Sequence, residues 1–93
     1  MNVTVYSKPN CVACTATKRL LNKLEIPHTV IDITTDPAAY ELVKSLGYSS
    51  APVVVAELSA GTQHWSEFRE ERIKHLRREL DAIAYLAEDG GLA

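Results

Sequence analysis

Residues 2–6 alternate, with Val3 and Val5 on one side and Thr4 on the other, the period-two pattern of a short strand. The period then changes. Ala13, Ala16, Leu20, Leu21 and Leu24 recur at helical spacing, so a helix is expected over 15–24 with Asn10 as its N-cap. Pro27 closes that segment. Residues 28–33 read as a second strand, Val30 facing inward and Ile31 and Ile33 opposite. Asp36-Pro37 is a helix start, an acidic N-cap followed by proline at the first helical position. Tyr40, Leu42, Val43 and Leu46 form the apolar side of this second helix, and Gly47 is its stop. Residues 52–56 are an unbroken apolar strand; a loop containing Gly61 leads to a short strand over 63–66, a hairpin. From about Arg69 to Ala87, Ile73, Leu76, Leu80, Ile83 and Ala87 mark a last helical stripe, and Asp89-Gly90-Gly91 predicts a frayed tail over 88–93.

The order is β-α-β-α-β-β-α, an α/β layer fold. Its first strand–helix–strand unit implies a parallel pair joined by a right-handed crossover, and the late hairpin adds an antiparallel edge. With 93 residues, 46% of them hydrophobic, the chain makes one domain with one modest core. Ten basic and twelve acidic residues leave a formal charge of −2, which gives no broad footprint for nucleic acid. No apolar run is long enough to span a bilayer, and the opening residues lack the basic and apolar regions of a secretory signal. A cytoplasmic, monomeric protein is the expectation.

Two cysteines, Cys11 and Cys14, are the candidate chemistry. They fall after a strand and at a helix start, one turn apart on the same face, where Cβ atoms lie ~5–6 Å from each other. A disulfide is within reach of a small adjustment of that first turn. Unpaired backbone N–H groups and the positive end of the helix dipole favour a thiolate on Cys11, with Lys8 and, farther off, Lys18 adding to the field. Cys14, deeper in the helix, is expected to be less ionised and less exposed. A nucleophile and a resolving thiol require that asymmetry. A zinc site needs a second ligand pair, and His28, His64 and His75 are scattered over a strand, a loop and a helix. Two inert buried cysteines would not need this placement. A C-x-x-C beside a βαβ pattern reads as a thioredoxin-like redox motif.

A second constellation stands at Ser49–Val55, "SSAPVVV", where Pro52 opens an apolar strand. Proline is tolerated at a strand's first residue, and only ~5–6% of X–Pro bonds are cis, so these residues alone do not choose the isomer.

In "VTVYSKPNCVACTATKRLL", "VIDIT", "LGYSSAPVVVA" and "HWSEFREERI", in that order over residues 2 to about 76, the chain resembles glutaredoxin-like proteins of the thioredoxin fold, most closely the NrdH-redoxins. The Cys-Val-x-Cys and Trp-Ser-x-Phe-Arg forms carry the narrower likeness. The resemblance implies a four-stranded mixed sheet flanked by three helices and a cis Ala51–Pro52 bond whose backbone pairs with an incoming substrate segment. Lys8, Val12, Ala51, Pro52 and Trp65 then form the partner-binding surface. Trp65, Ser66 and Phe68 would brace Ser50 and Ala51, although plain core packing accounts equally for Trp65 and Phe68.

The implied activity is dithiol–disulfide exchange, Cys11 attacking and Cys14 resolving, with no metal or organic cofactor. Ribonucleotide reductase is the implied client, and NADPH-dependent thioredoxin reductase the source of electrons. A glutathione-dependent glutaredoxin is the alternative, for which Lys8 is the one clear cationic ligand near the cysteines. The chain departs from the family pattern at Glu67, where Gly is usual, and at Glu70, where Pro is usual. If the Gly position needs a positive φ, Glu67 is strained or its turn is rebuilt. The segment Glu57–Gln63 reads as a longer loop, and the last helix as extended.

Overall fold

The computed structural model describes the backbone of residues 2–92 and side chains as far as residue 86. Its elements are β1 (Asn2–Ser7), α1 (Val12–Lys23), β2 (Thr29–Asp32), α2 (Pro37–Ser45), β3 (Val53–Leu58), β4 (Gly61–Ser66) and α3 (Glu70–Leu92). The strands form one sheet in the order β2-β1-β3-β4. β1 pairs parallel with β2 and antiparallel with β3, and β3 pairs antiparallel with β4. This is the expected four-stranded mixed sheet with three helices.

The pleat of the two central strands splits the core in two, because successive side chains point to opposite faces. Val3, Val5, Val54, Ala56 and Trp65 meet Leu21 of α1 and Ile73, Leu76 and Leu80 of α3 in the larger cluster. Tyr6 and Val53 face the other way, against Ala39 and Val43 of α2. Leu21, Ile73 and Leu76 are wholly buried; each such side chain contributes about 1.5–3 kcal/mol of transfer free energy.

Several expected positions move. Val30 stands in register with Val5 but on an edge strand, outside the helices' cover, and is 45% exposed; Ile31 and Ile33 pack against the smaller cluster instead. On α2 the buried pair is Ala39 and Val43, while Tyr40 and Leu42 are largely exposed. A short helix set on a small alanine presents a narrower stripe than its apolar residues suggest. The segment read as a long loop is mostly ladder: Glu57 pairs with Thr62 and Leu58 with Gly61, leaving Ser59 and Ala60 as the connection. α3 stays helical through the glycines to Leu92, where a frayed tail was expected. Each glycine costs about 1 kcal/mol relative to alanine in a helix interior.

Candidate redox site

β1 delivers the chain to the sheet's end, and Lys8, Pro9 and Asn10 turn it into α1. Asn10 makes that turn with φ 55°, a left-handed conformation that asparagine tolerates better than most residues. The helix cap is therefore one residue later than expected. Cys11 has extended backbone (φ −121°, ψ 108°), and its sulfur accepts the Cys14 backbone N–H at 3.1 Å. The cysteine itself satisfies one of the donors left free at a helix start. Asn10 is spent on the left-handed turn, and the extended residue before the helix, where a cap sits, is Cys11.

Cys11 and Cys14 are joined as a disulfide with their Cα atoms 5.2 Å apart, inside the usual range for such a bridge. Their exposure differs as expected. Cys11 is half-buried at the rim, whereas Cys14 is 1% exposed and faces the core. Val12, between them, projects into solvent at 87% exposure.

Ala51–Pro52 is a cis peptide, and the Ala51 carbonyl oxygen lies 3.8 Å from the Cys11 sulfur. Pro52 is buried beneath it. One brace on this loop is a backbone bond. Glu67, past the end of β4, donates its backbone N–H to the Pro52 carbonyl at 2.8 Å and holds φ at 69°. The position usually taken by glycine thus does need a positive φ here, and a glutamate occupies it. Arg69 fastens the same turn, its Nε donating to the Ser66 carbonyl at 3.0 Å. Glu70, in the place of proline, opens α3, where an acid in the first turn suits the helix dipole.

Trp65 is 2% exposed, so its ring belongs to the core rather than to a contact surface; the Arg72 guanidinium covers it at 4.7 Å. Phe68, by contrast, is 39% exposed. On the other side of Ala51 a groove of about 840 Å³ runs toward α2, walled by Lys8, Tyr40, Lys44, Tyr48, Ser50 and Ala51. Lys44 was not singled out in the sequence, where α2 was read through its apolar residues; it lines the groove together with Lys8 of the loop before α1. Thr17 was missed as well. It is completely buried one turn below Cys14, off the apolar stripe drawn through Ala13 and Ala16.

The histidines are engaged separately: His28 with the Ile26 carbonyl, His64 with the Tyr48 hydroxyl at 2.7 Å, and His75 with Glu79. Among the described residues, no three His, Cys, Asp or Glu side chains gather as metal ligands would. Nor, among them, is any helix long and apolar enough to cross a membrane.

Residues 3–58 match the glutaredoxin family model. Glutaredoxin-like protein NrdH of Escherichia coli (strain K12) is 34% identical over 76 residues, covering 82% of this chain and 89% of that protein. The solved structure of the Escherichia coli NrdH-redoxin superposes with a TM-score of 0.75 at 34% identity, over 82% of this chain and 95% of that one. A glutaredoxin from Archaeoglobus fulgidus gives a TM-score of 0.66 at 26% identity, over 83% and 86%.

Proposed function

The chain belongs to the glutaredoxin family, in its NrdH-redoxin branch, and is a thiol–disulfide oxidoreductase; from that premise we propose that it delivers electrons to a ribonucleotide reductase and is recharged by an NADPH-dependent thioredoxin reductase. The observation that carries the reading is the Glu67 N–H bond to Pro52, because it ties the Trp-Ser-x-Phe-Arg segment of that branch to the loop beside the cysteines. The Escherichia coli relative is described as having a thioredoxin-like activity profile, which supports the same recharging route.

In the reduced protein the Cys11 thiolate is held by the Cys14 N–H and the first-turn amides. It attacks one sulfur of the client disulfide. A Cys11–client bond forms and the client's second sulfur leaves as a thiolate. Cys14 then attacks Cys11, closing the Cys11–Cys14 bond and releasing the first client sulfur, so that two electrons have passed to the client. Burial of Cys14 restricts the first attack to Cys11. Ala51 offers its backbone beside the sulfur to an extended client segment, Val12 and Lys8 flank it, and Pro52 fixes the loop.

A second reading has its own observation. Lys8 and Lys44 both line the groove beside Ala51, two cations where the sequence indicated one, and glutathione carries two carboxylates. Insulin or dithionitrobenzoate reduction with NADPH separates the two. Turnover is expected with thioredoxin reductase and not with glutathione plus glutathione reductase; turnover with glutathione alone overturns the recharging route.

A further inference from the structure

Cys14 must become a thiolate to resolve the mixed disulfide, yet it sits in the core at 1% exposure, where burial favours the protonated thiol. Besides Cys14, the ionisable side chain among the described buried residues is Tyr6, which packs in the cluster against α2. The buried polar side chains there are Ser7 and Thr17. α1 packs on β1 and α3, and the charged groups of those elements lie elsewhere. Arg77 is held at the far end of α1 by the Leu24 and Glu25 carbonyls, Lys74 pairs with Glu70, and His75 with Glu79. On the near side, Lys8 is exposed in the loop before α1.

Thr17 is three residues after Cys14 on the same buried face. Helical side chains lean toward the N-terminus, onto the residues three and four positions earlier, so the Thr17 side chain leans over Cys14. A helical threonine ordinarily returns its hydroxyl to the carbonyl one turn back. Thr17 does not: it is fully buried, and its Oγ1 has no hydrogen-bond partner in the disulfide form. Valine has the same shape without the desolvation cost, so a buried threonine with an idle hydroxyl points to a partner that exists in another state of the protein.

We propose that this partner is the sulfur of Cys14: when the disulfide opens, Thr17 Oγ1 donates to Cys14 Sγ and holds it as the resolving thiolate. The hydroxyl keeps its proton throughout. Cys14 Sγ forms the new bond to Cys11 Sγ, the Cys11–client bond breaks, and the client sulfur leaves with the electron pair. This rests on the dithiol exchange proposed above, and it adds a polar group whose hydrogen bond is made in the reduced state and idle in the oxidised one.

The test uses Thr17→Val and Thr17→Ser. In a Cys11→Ser background, where Cys14 is the one thiol, the pH midpoint of alkylation is expected to rise by about one unit in Thr17→Val and to stay in place in Thr17→Ser. In the dithiol protein, Thr17→Val is expected to resolve a preformed Cys11 mixed disulfide about tenfold more slowly and to lower the reduction potential, a tenfold equilibrium change being about 30 mV. The oxidised Thr17→Val protein should melt no lower than the wild type. Unchanged midpoint and resolution rate in Thr17→Val, with or without a lower melting temperature, overturn the proposal and leave Thr17 a packing residue. Should Thr17→Val misfold, Thr17→Ala removes the same hydroxyl and the same midpoint decides. Full turnover by Cys11→Ser alone would instead sink the dithiol exchange, a separate outcome.

Discussion

Cys11 and Cys14 share a turn of helix but not an environment, and that difference divides their labour. Cys11→Ser is expected to abolish disulfide reduction, while Cys14→Ser should accumulate a client adduct on Cys11, seen as a mass increase that a reducing agent reverses. Glu67 shows a residue held against its own preference. At φ 69° an L-residue costs roughly 1–2 kcal/mol, whereas glycine there would lose about 0.5–1 kcal/mol of chain entropy. Its ion pair with Arg69 is long, 3.7 Å, and exposed, and so worth little. Glu67→Gly should therefore raise the urea midpoint, by a stability gain of no more than about 1.5 kcal/mol. Tyr6 carries a pH dependence. Burial, then the nearby Glu57 and Asp36 charges, push its phenol above the ordinary value of 10.0. The unfolded chain ionises first as pH rises, so this contribution is complete below about pH 10 and is lost through the interval above it. Denaturant titrations of the oxidised protein at pH 8 and above pH 10 should show that loss, and Tyr6→Phe should flatten it.

At the scale of elements, the signals that held were those written within a few residues. Asp36 caps α2 by accepting the Ala39 N–H at 3.1 Å, with Pro37 following, as its spacing predicted. Gly47 ends the helix at φ 91°. No neighbouring atom lies within reach of an added Cβ there, so Gly47→Ala tests conformation alone. A loss of about 1–2 kcal/mol in thermal or chemical unfolding is expected. What failed were faces. Which side of α1 enters the core depended on α3 arriving from more than fifty positions away: Leu21 is buried as its stripe predicted and Cys14 as expected, but fully buried Thr17 lies off that stripe. The hairpin likewise lengthened because Glu57 found Thr62 and Leu58 found Gly61 across the ladder, a pairing no single strand advertises.

Over the whole molecule, the helix bearing the cysteines is secured at both ends. Its start is capped by Cys11, and its end is clasped by Arg77 of α3, whose Nη1 donates to the Leu24 and Glu25 carbonyls at 3.0 and 3.1 Å and whose Nη2 reaches Asp81. Hydrogen bonds from a charged donor are worth about 1.5–3 kcal/mol. Arg77→Ala should lower stability by that order while leaving alkylation of Cys11 in the reduced protein near its wild-type rate, since the clasp lies at the opposite end of α1. By itself the sequence determined the order of elements, the caps and stops of α2, and a cysteine pair at a helix start, because each depends on contacts within one or two turns of chain. Tertiary structure alone decided that Glu67 would lock Pro52, that Lys44 would line the groove with Lys8, that Trp65 would be core, and that Thr17 would be sealed beneath Cys14. Those facts join residues far apart along the chain, and only the closing of the sheet and the docking of α1 and α3 on it bring such groups within bonding distance.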